Sequence, residues 1–180
     1  VATLARNPSM NSFVPPGASA TDRMVLAASV LLSLAYFLCR DMALPVPVEI
    51  AWKGAGVGLL ALYAARCARN LDGWLLTTVM TVSAVADMVL ELDLLAGGAL
   101  FALGHLVAIM LYLRIRRDVR SGSQTLAAGA LLVGTPLLAA LLTIPKPGWA
   151  MAAIYSLFVG AMAASAWLSR FSRYRTGIGA

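Results

Sequence analysis

The chain has 180 residues, 61% of them hydrophobic and only 12% charged, with a formal net charge of +6. Soluble domains sit near 45–50% apolar and about 25% charged, and here the apolar residues come in blocks of about 20, the length of helix that crosses a bilayer. That excludes a soluble globular domain. The positive residues flank the apolar blocks, where membrane orientation and anionic headgroups account for them without a nucleic-acid partner.

Residues 1–22 read as a flexible N-terminal tail and residues 23–180 as one transmembrane helical domain. The tail lacks the apolar core of a signal peptide and holds Pro8, Pro15, Pro16 and Gly17. The chain begins without Met, as a processed, tagged or incomplete chain would. Met24 to Cys39 is the first apolar run, ended by Arg40-Asp41 and the Pro45/Pro47 pair. Val46 to Ala65 is the second, carrying Glu49 and Lys53 in its first turns and closed by Arg66 and Arg69. Trp74 opens the third, which continues to about Leu92. A tight turn is expected over Leu94-Leu95-Ala96-Gly97-Gly98, before a fourth run from about Gly98 to Leu113. Arg114, Arg116, Arg117 and Arg120 follow it, then a turn at Ser121-Gly122-Ser123. Thr125 to Ile144 is the fifth run, with Pro136 as a kink. Trp149 to Leu168 is the sixth, followed by Arg170, Arg173 and Arg175.

The expected fold is therefore all-α, a polytopic transmembrane helix bundle with six spans. The arginine clusters follow the second, fourth and sixth spans, so the positive-inside rule places both termini in the cytoplasm. A bacterial cytoplasmic membrane is the expected location. Cys39 and Cys67 fall near opposite membrane faces, so no disulfide between them is expected, and neither belongs to a metal-type cluster. Gly54 and Gly58 form a G-x-x-x-G on the second span, a spacing that permits close helix approach. Nothing in the sequence fixes an oligomeric state.

Ionisable groups at membrane depth are costly and mark candidate functional sites. Counted from the outer end of each span, Asp87 lies roughly 5–8 Å deep, Glu49 roughly 5 Å, Lys53 and Tyr155 roughly 10 Å, and His105 roughly 10–12 Å. Four spans thus place polar groups in one layer. Each has a plainer reading beside the functional one. Asp87, which shares a helix face with Ser83 and Glu91, reads either as a reactive carboxyl or as the structural partner of Lys53. Lys53 reads either as a substrate contact or as the i+4 partner of Glu49. His105, the only histidine, reads as a site residue or as an interhelical hydrogen bond. Tyr155 reads as a site residue or as packing, and Glu91 and Asp93 as headgroup-level residues at a helix end. One histidine and no cysteine cluster do not make a usual structural zinc site. Asp87, Glu91, His105 and Glu49 could share a metal, but their spacing specifies none, and no cofactor is expected.

On these residues the chain resembles the YhhN/TMEM86 family of multi-pass membrane proteins, whose characterised members are lysoplasmalogenases. The resemblance rests on Lys53, on Ser83-Ala84-Val85-Ala86-Asp87-Met88-Val89-Leu90, on Phe101-Ala102-Leu103-Gly104-His105-Leu106, and more weakly on Tyr155 to Ala163. The chain departs from the family pattern at Ala86-Asp87 (usually Gly-Asp), at Lys53-Gly54 (usually Lys-Pro) and at Ala108 (commonly Tyr). The family pattern has eight spans, with a second aspartate in the seventh; Thr176-Gly177-Ile178-Gly179-Ala180 reads as the start of that span, where the sequence stops. The resemblance implies hydrolysis of the vinyl-ether bond of a lysoplasmalogen, a single-chain phospholipid, to a fatty aldehyde and a glycerophospho-headgroup. It implies Asp87 and His105 as catalytic residues and Lys53, Tyr155 and Glu91 as substrate contacts. The competing expectations are a small transporter or channel lined by the same residues, and a non-catalytic membrane protein.

Overall fold

The computed structural model describes residues 18–39, 41–42 and 44–171. Most of the expected tail, Arg40, Arg173, Arg175 and the Thr176–Ala180 stretch lie outside them. Six α-helices follow one another: α1 (Ala20–Cys39), α2 (Val46–Cys67), α3 (Leu71–Leu90), α4 (Leu94–Arg114), α5 (Gly122–Thr143) and α6 (Trp149–Leu168). Each is long and apolar enough to cross a membrane, and large apolar side chains such as Leu31, Leu38, Leu126 and Leu142 point outward. An all-α, multi-pass membrane bundle is the result.

Helix starts and stops follow local chemistry. α1 begins inside the stretch assigned to the tail, because Ser19 and Asp22 cap it reciprocally: the Ser19 amide donates to Asp22 Oδ2 (2.8 Å) and the Asp22 amide to Ser19 Oγ (3.2 Å). Pro47 sits in the first turn of α2, where its missing N–H costs nothing. Asn70 caps α3, and Ser121 with Gln124 forms a capping box on α5. Gly148, at φ 88°, supplies the left-handed residue that admits the chain to α6.

The third connection is not where the glycines suggested. α3 ends at Leu90, the turn is Glu91-Leu92-Asp93, and Asp93 accepts from the Leu95 and Ala96 amides (2.8 and 3.0 Å) as the N-cap of α4. Gly97 lies inside α4 because that helix presses on the end of α3: a Cβ there would stand 2.6 Å from Leu90 Cα. The G-x-x-x-G reading is also corrected. Gly58 touches nothing, while Gly54 faces Met88 on α3 and Gly56 faces Ser33 on α1, so the close approaches use two glycines on different faces.

Among the described residues each helix packs only on its neighbours in the order α1, α2, α3, α4, α6, α5. α4 meets α6 rather than α5, leaving α1 and α5 with one partner each. Small residues make the core: Ala86 and Ala108 are buried, as are Gly97, Gly104 and Gly160, which suits helices held by close van der Waals contact in lipid. Pro136 removes the N–H that would have bonded to the Leu132 carbonyl. Gly160 of α6 lies against that carbonyl and against that of Leu131, which also accepts the Thr135 hydroxyl at 2.7 Å.

Alternating helix direction collects charge at two ends. At the basic end lie eight arginines of the described residues, from Arg23 to Arg170, against Asp22, Asp72 and Asp118. Arg66 pairs there with Asp22 (2.6 Å), Arg114 with Asp72 (3.1 Å), and Arg170 with Asp118. The Ile115–Ser121 connection is pinned to the end of α6, where Arg117 donates to the Ser169 carbonyl (2.7 Å) and the Arg170 amide to Ile115 O (2.8 Å). At the acidic end lie Asp41, Glu49, Asp87, Glu91 and Asp93, with Lys53 and Lys146. Cys39 and Cys67 close α1 and α2 at opposite ends.

Candidate functional site

The polar side chains at the acidic end form two groups. The first spans α1, α2 and α3. Lys53 Nζ meets Glu91 Oε1 at 2.5 Å, with the two side chains 24% and 28% exposed. Lys53 therefore pairs with neither Glu49, its helical neighbour, nor Asp87. Glu49 accepts from the Tyr36 hydroxyl of α1 at 3.2 Å instead. Tyr36 stands edge-on to Trp52, with ring centroids 6.2 Å apart, and the Trp52 indole donates to the Leu32 carbonyl at 3.1 Å. These contacts fix the α2 side of the group.

Asp87 lies half-buried, one turn before Glu91 on α3. Its carboxyl makes no hydrogen bond or ion pair among the described residues, and Lys53 and Glu91 are its charged neighbours. The two helices are clamped at this level by packing. Met88, next to Asp87, lies across Gly54, next to Lys53; a Cβ at position 54 would stand 2.5 Å from Met88 Cγ. The Lys-Gly step is thus where the Met88 side chain of α3 lies against α2. The plainer readings of Lys53 and Asp87 each named a partner that the structure gives to another residue.

The second group joins α4 to α6. His105 Nε2 lies 3.1 Å from the Tyr155 hydroxyl and Nδ1 lies 3.2 Å from Met162 Sδ. A ring with its proton on Nδ1, facing the weakly accepting sulfur, leaves Nε2 to accept from Tyr155. The His105 and Tyr155 rings are 5.7 Å apart and tilted. Gly104, beside His105, faces Val82 and Ser83 of α3 at ordinary contact distance, so α4 stands between the two groups. Among the described residues, Asp87, Glu91, His105 and Glu49 do not gather as a set that could hold a metal ion.

Sequence reasoning named Lys53, Glu91, Asp87, His105 and Tyr155, and the structure couples them as Lys53 with Glu91 and His105 with Tyr155. It missed the supporting residues Tyr36, Trp52 and Met162. Tyr36 sits near the end of its span at the same membrane face as Glu49, so the same depth count would have reached it. Met162 follows Tyr155 by seven residues, which returns it to the same helix face.

No curated protein and no solved structure matches the chain. The family model described as the YhhN family matches residues 48–180, which takes in every one of the site residues on α2, α3, α4 and α6. The chain belongs to the YhhN family of membrane proteins.

Proposed function

We propose that this protein is a membrane hydrolase cleaving the vinyl-ether bond of a lysoplasmalogen-type lipid, with its acidic end in the outer half of the bilayer and both termini cytoplasmic. The observation that carries the reading is Asp87: a half-buried carboxyl without a hydrogen-bond partner among the described residues, next to a lysine already paired with another carboxylate. A carboxylate kept for structure would have taken that lysine. Family membership supports the reaction class, and the eight arginines at the opposite end support the orientation.

Vinyl ethers hydrolyse through protonation of the alkene carbon remote from oxygen. Asp87 is the proposed acid: it delivers its proton to that carbon, the ether oxygen's lone pair delocalises onto the adjacent carbon, and an oxocarbenium ion forms. Glu91, held beside Lys53, supplies negative charge one helical turn away. Water adds to the oxocarbenium carbon and loses a proton to the Asp87 carboxylate. The hemiacetal then collapses to a fatty aldehyde and the free glycerol hydroxyl. Lys53 has three N–H donors, so it keeps donors for a lipid phosphate while bonded to Glu91. His105, bonded to Tyr155 on the other side of α4, takes no step in this scheme.

The test is turnover of two single-chain lipids of the same headgroup by monodisperse protein. A 1-alkenyl lipid should release aldehyde, more slowly in deuterated water because the proton moves in the slow step. The saturated 1-alkyl lipid, which has no carbon to protonate, should remain intact. No aldehyde from the 1-alkenyl lipid would remove the hydrolase reading.

A further inference from the structure

The chain has two lysines, Lys53 and Lys146, and both lie at the acidic end. Their surroundings differ. Lys146 is exposed on the turn between α5 and α6 and makes no ion pair among the described residues. Lys53 is largely covered, and its ammonium stands 2.5 Å from the Glu91 carboxylate. The other nearby carboxylates do not hold it: Glu49 accepts from Tyr36, and Asp87 forms no ion pair with it. A lysine attacks a carbonyl carbon only after giving up its proton. As an ammonium it has three donors and no lone pair. Glu91 binds that form and so keeps Lys53 out of carbonyl chemistry.

We propose that Glu91 shields Lys53 from long-chain aldehydes, and that Lys53 is the position at which such an aldehyde attaches once the pair is opened. The inference rests on the hydrolase reading for the source of the aldehyde, released beside Asp87, but not for the reactivity of the lysine. In the unshielded site the Lys53 nitrogen attacks the aldehyde carbon. Its two remaining protons leave with the carbonyl oxygen as water, and the imine joins the fatty chain to α2. No oxidant or reductant is consumed. The adduct removes the ammonium donors proposed to meet the lipid phosphate, so an unpaired lysine here is a route to inactivation by product. A carboxylate present only to neutralise a lysine in lipid carries no such consequence: its loss lowers stability and leaves the lysine unmodified.

The test adds hexadecanal and cyanoborohydride to monodisperse protein in detergent and quantifies the N-alkylated lysines by peptide mass spectrometry, with Lys146 as internal standard. In the wild type and in Asp87→Asn, where Glu91 is in place, Lys146 should be modified and Lys53 should not. Asp87→Asn is the background for the second step, because it removes a carboxylate that could take over the freed lysine. Adding Glu91→Gln to it should raise the Lys53 adduct relative to Lys146 by roughly 10- to 100-fold, the factor that the net worth of a hydrogen bond between charged groups converts to. Glu91→Ala in the same background should do likewise. The aldehyde is supplied directly, so failure here is distinct from failure of the 1-alkenyl lipid assay, which tests the reaction itself. Equal adduct on the two lysines with Glu91 in place, or a Lys53 that stays unmodified in both Glu91 variants, would overturn the proposal.

Discussion

Gly97 and Gly98 are neighbours in sequence, yet the structure assigns them opposite roles. A Cβ on Gly97 would stand 2.6 Å from Leu90 Cα, 2.7 Å from Leu90 N and 2.8 Å from Leu90 Cβ, whereas one on Gly98 would meet nothing within 4 Å. The atoms opposing Gly97 are mostly backbone, so no side-chain rotation relieves the clash. Restoring an ordinary 3.4 Å contact from 2.6 Å requires the α3 and α4 ends to separate by about 0.8 Å. Overpacking of this kind costs about 1–3 kcal/mol, or several degrees of melting temperature at roughly 2–4 °C per kcal/mol for a chain of this size. Gly98→Ala has no such clash and replaces a helix-interior glycine, a gain of roughly 0.5–1 kcal/mol. The two variants should therefore move melting in opposite directions, measured by intrinsic fluorescence in one detergent. Because Glu91 begins the turn that Gly97 tightens, Gly97→Ala should also lower specific activity in the aldehyde assay. Equal melting temperatures for Gly97→Ala and Gly98→Ala would refute the packing argument.

At the site, Lys53→Met leaves Glu91 unpaired at a quarter exposure, a cost between the ~0–1 kcal/mol of a surface pair and the ~3–5 kcal/mol of a buried one; the double variant with Glu91→Gln should melt higher than Lys53→Met alone. At the basic end, Asp22→Asn breaks the tie to Arg66 and should lower melting, with activity per folded molecule unchanged in the aldehyde assay. In a background without Cys39 and Cys67, a cysteine at Gly122 should react with a membrane-impermeant thiol reagent only from the cytoplasmic side, and labelling from outside would reverse the proposed orientation.

The six spans were legible because lipid imposes one rule along the whole chain: about 20 apolar residues per crossing, with arginines between them. The ends were less so. Gly97-Gly98 looks like a turn in sequence, but in a membrane bundle glycine also marks close helix approach, and the cap at Asp93 was the better boundary signal. Depth alone put Lys53, Asp87, His105 and Tyr155 in one layer. It carried no information about rotation between helices, so it left open whether Lys53 would meet Glu49, Asp87 or Glu91. The Gly54–Met88 contact between α2 and α3 lies at the same level, beside Lys53 and Asp87. The packing of α4 on α6 rather than α5 was equally hidden. It goes with the pinning of the Ile115–Ser121 connection to the end of α6, by backbone bonds and by the Arg117 side chain on the Ser169 and Phe171 carbonyls, acceptors that no sequence pattern singles out.

The central claim is that Asp87 moves a proton, and the most direct measurement of it is aldehyde release by Asp87→Asn set against the wild type, each normalised to monodisperse protein. Asn keeps the size and hydrogen-bonding capacity of the side chain but can neither donate a proton to carbon nor carry negative charge. Lys53 keeps Glu91 as its partner in the variant, so the fold should persist. The account predicts unchanged melting with specific activity lower by about 10²–10⁴-fold, the usual loss of general acid–base catalysis. Equal specific activity in the two proteins, or a loss that tracks only the fraction folded, would contradict it.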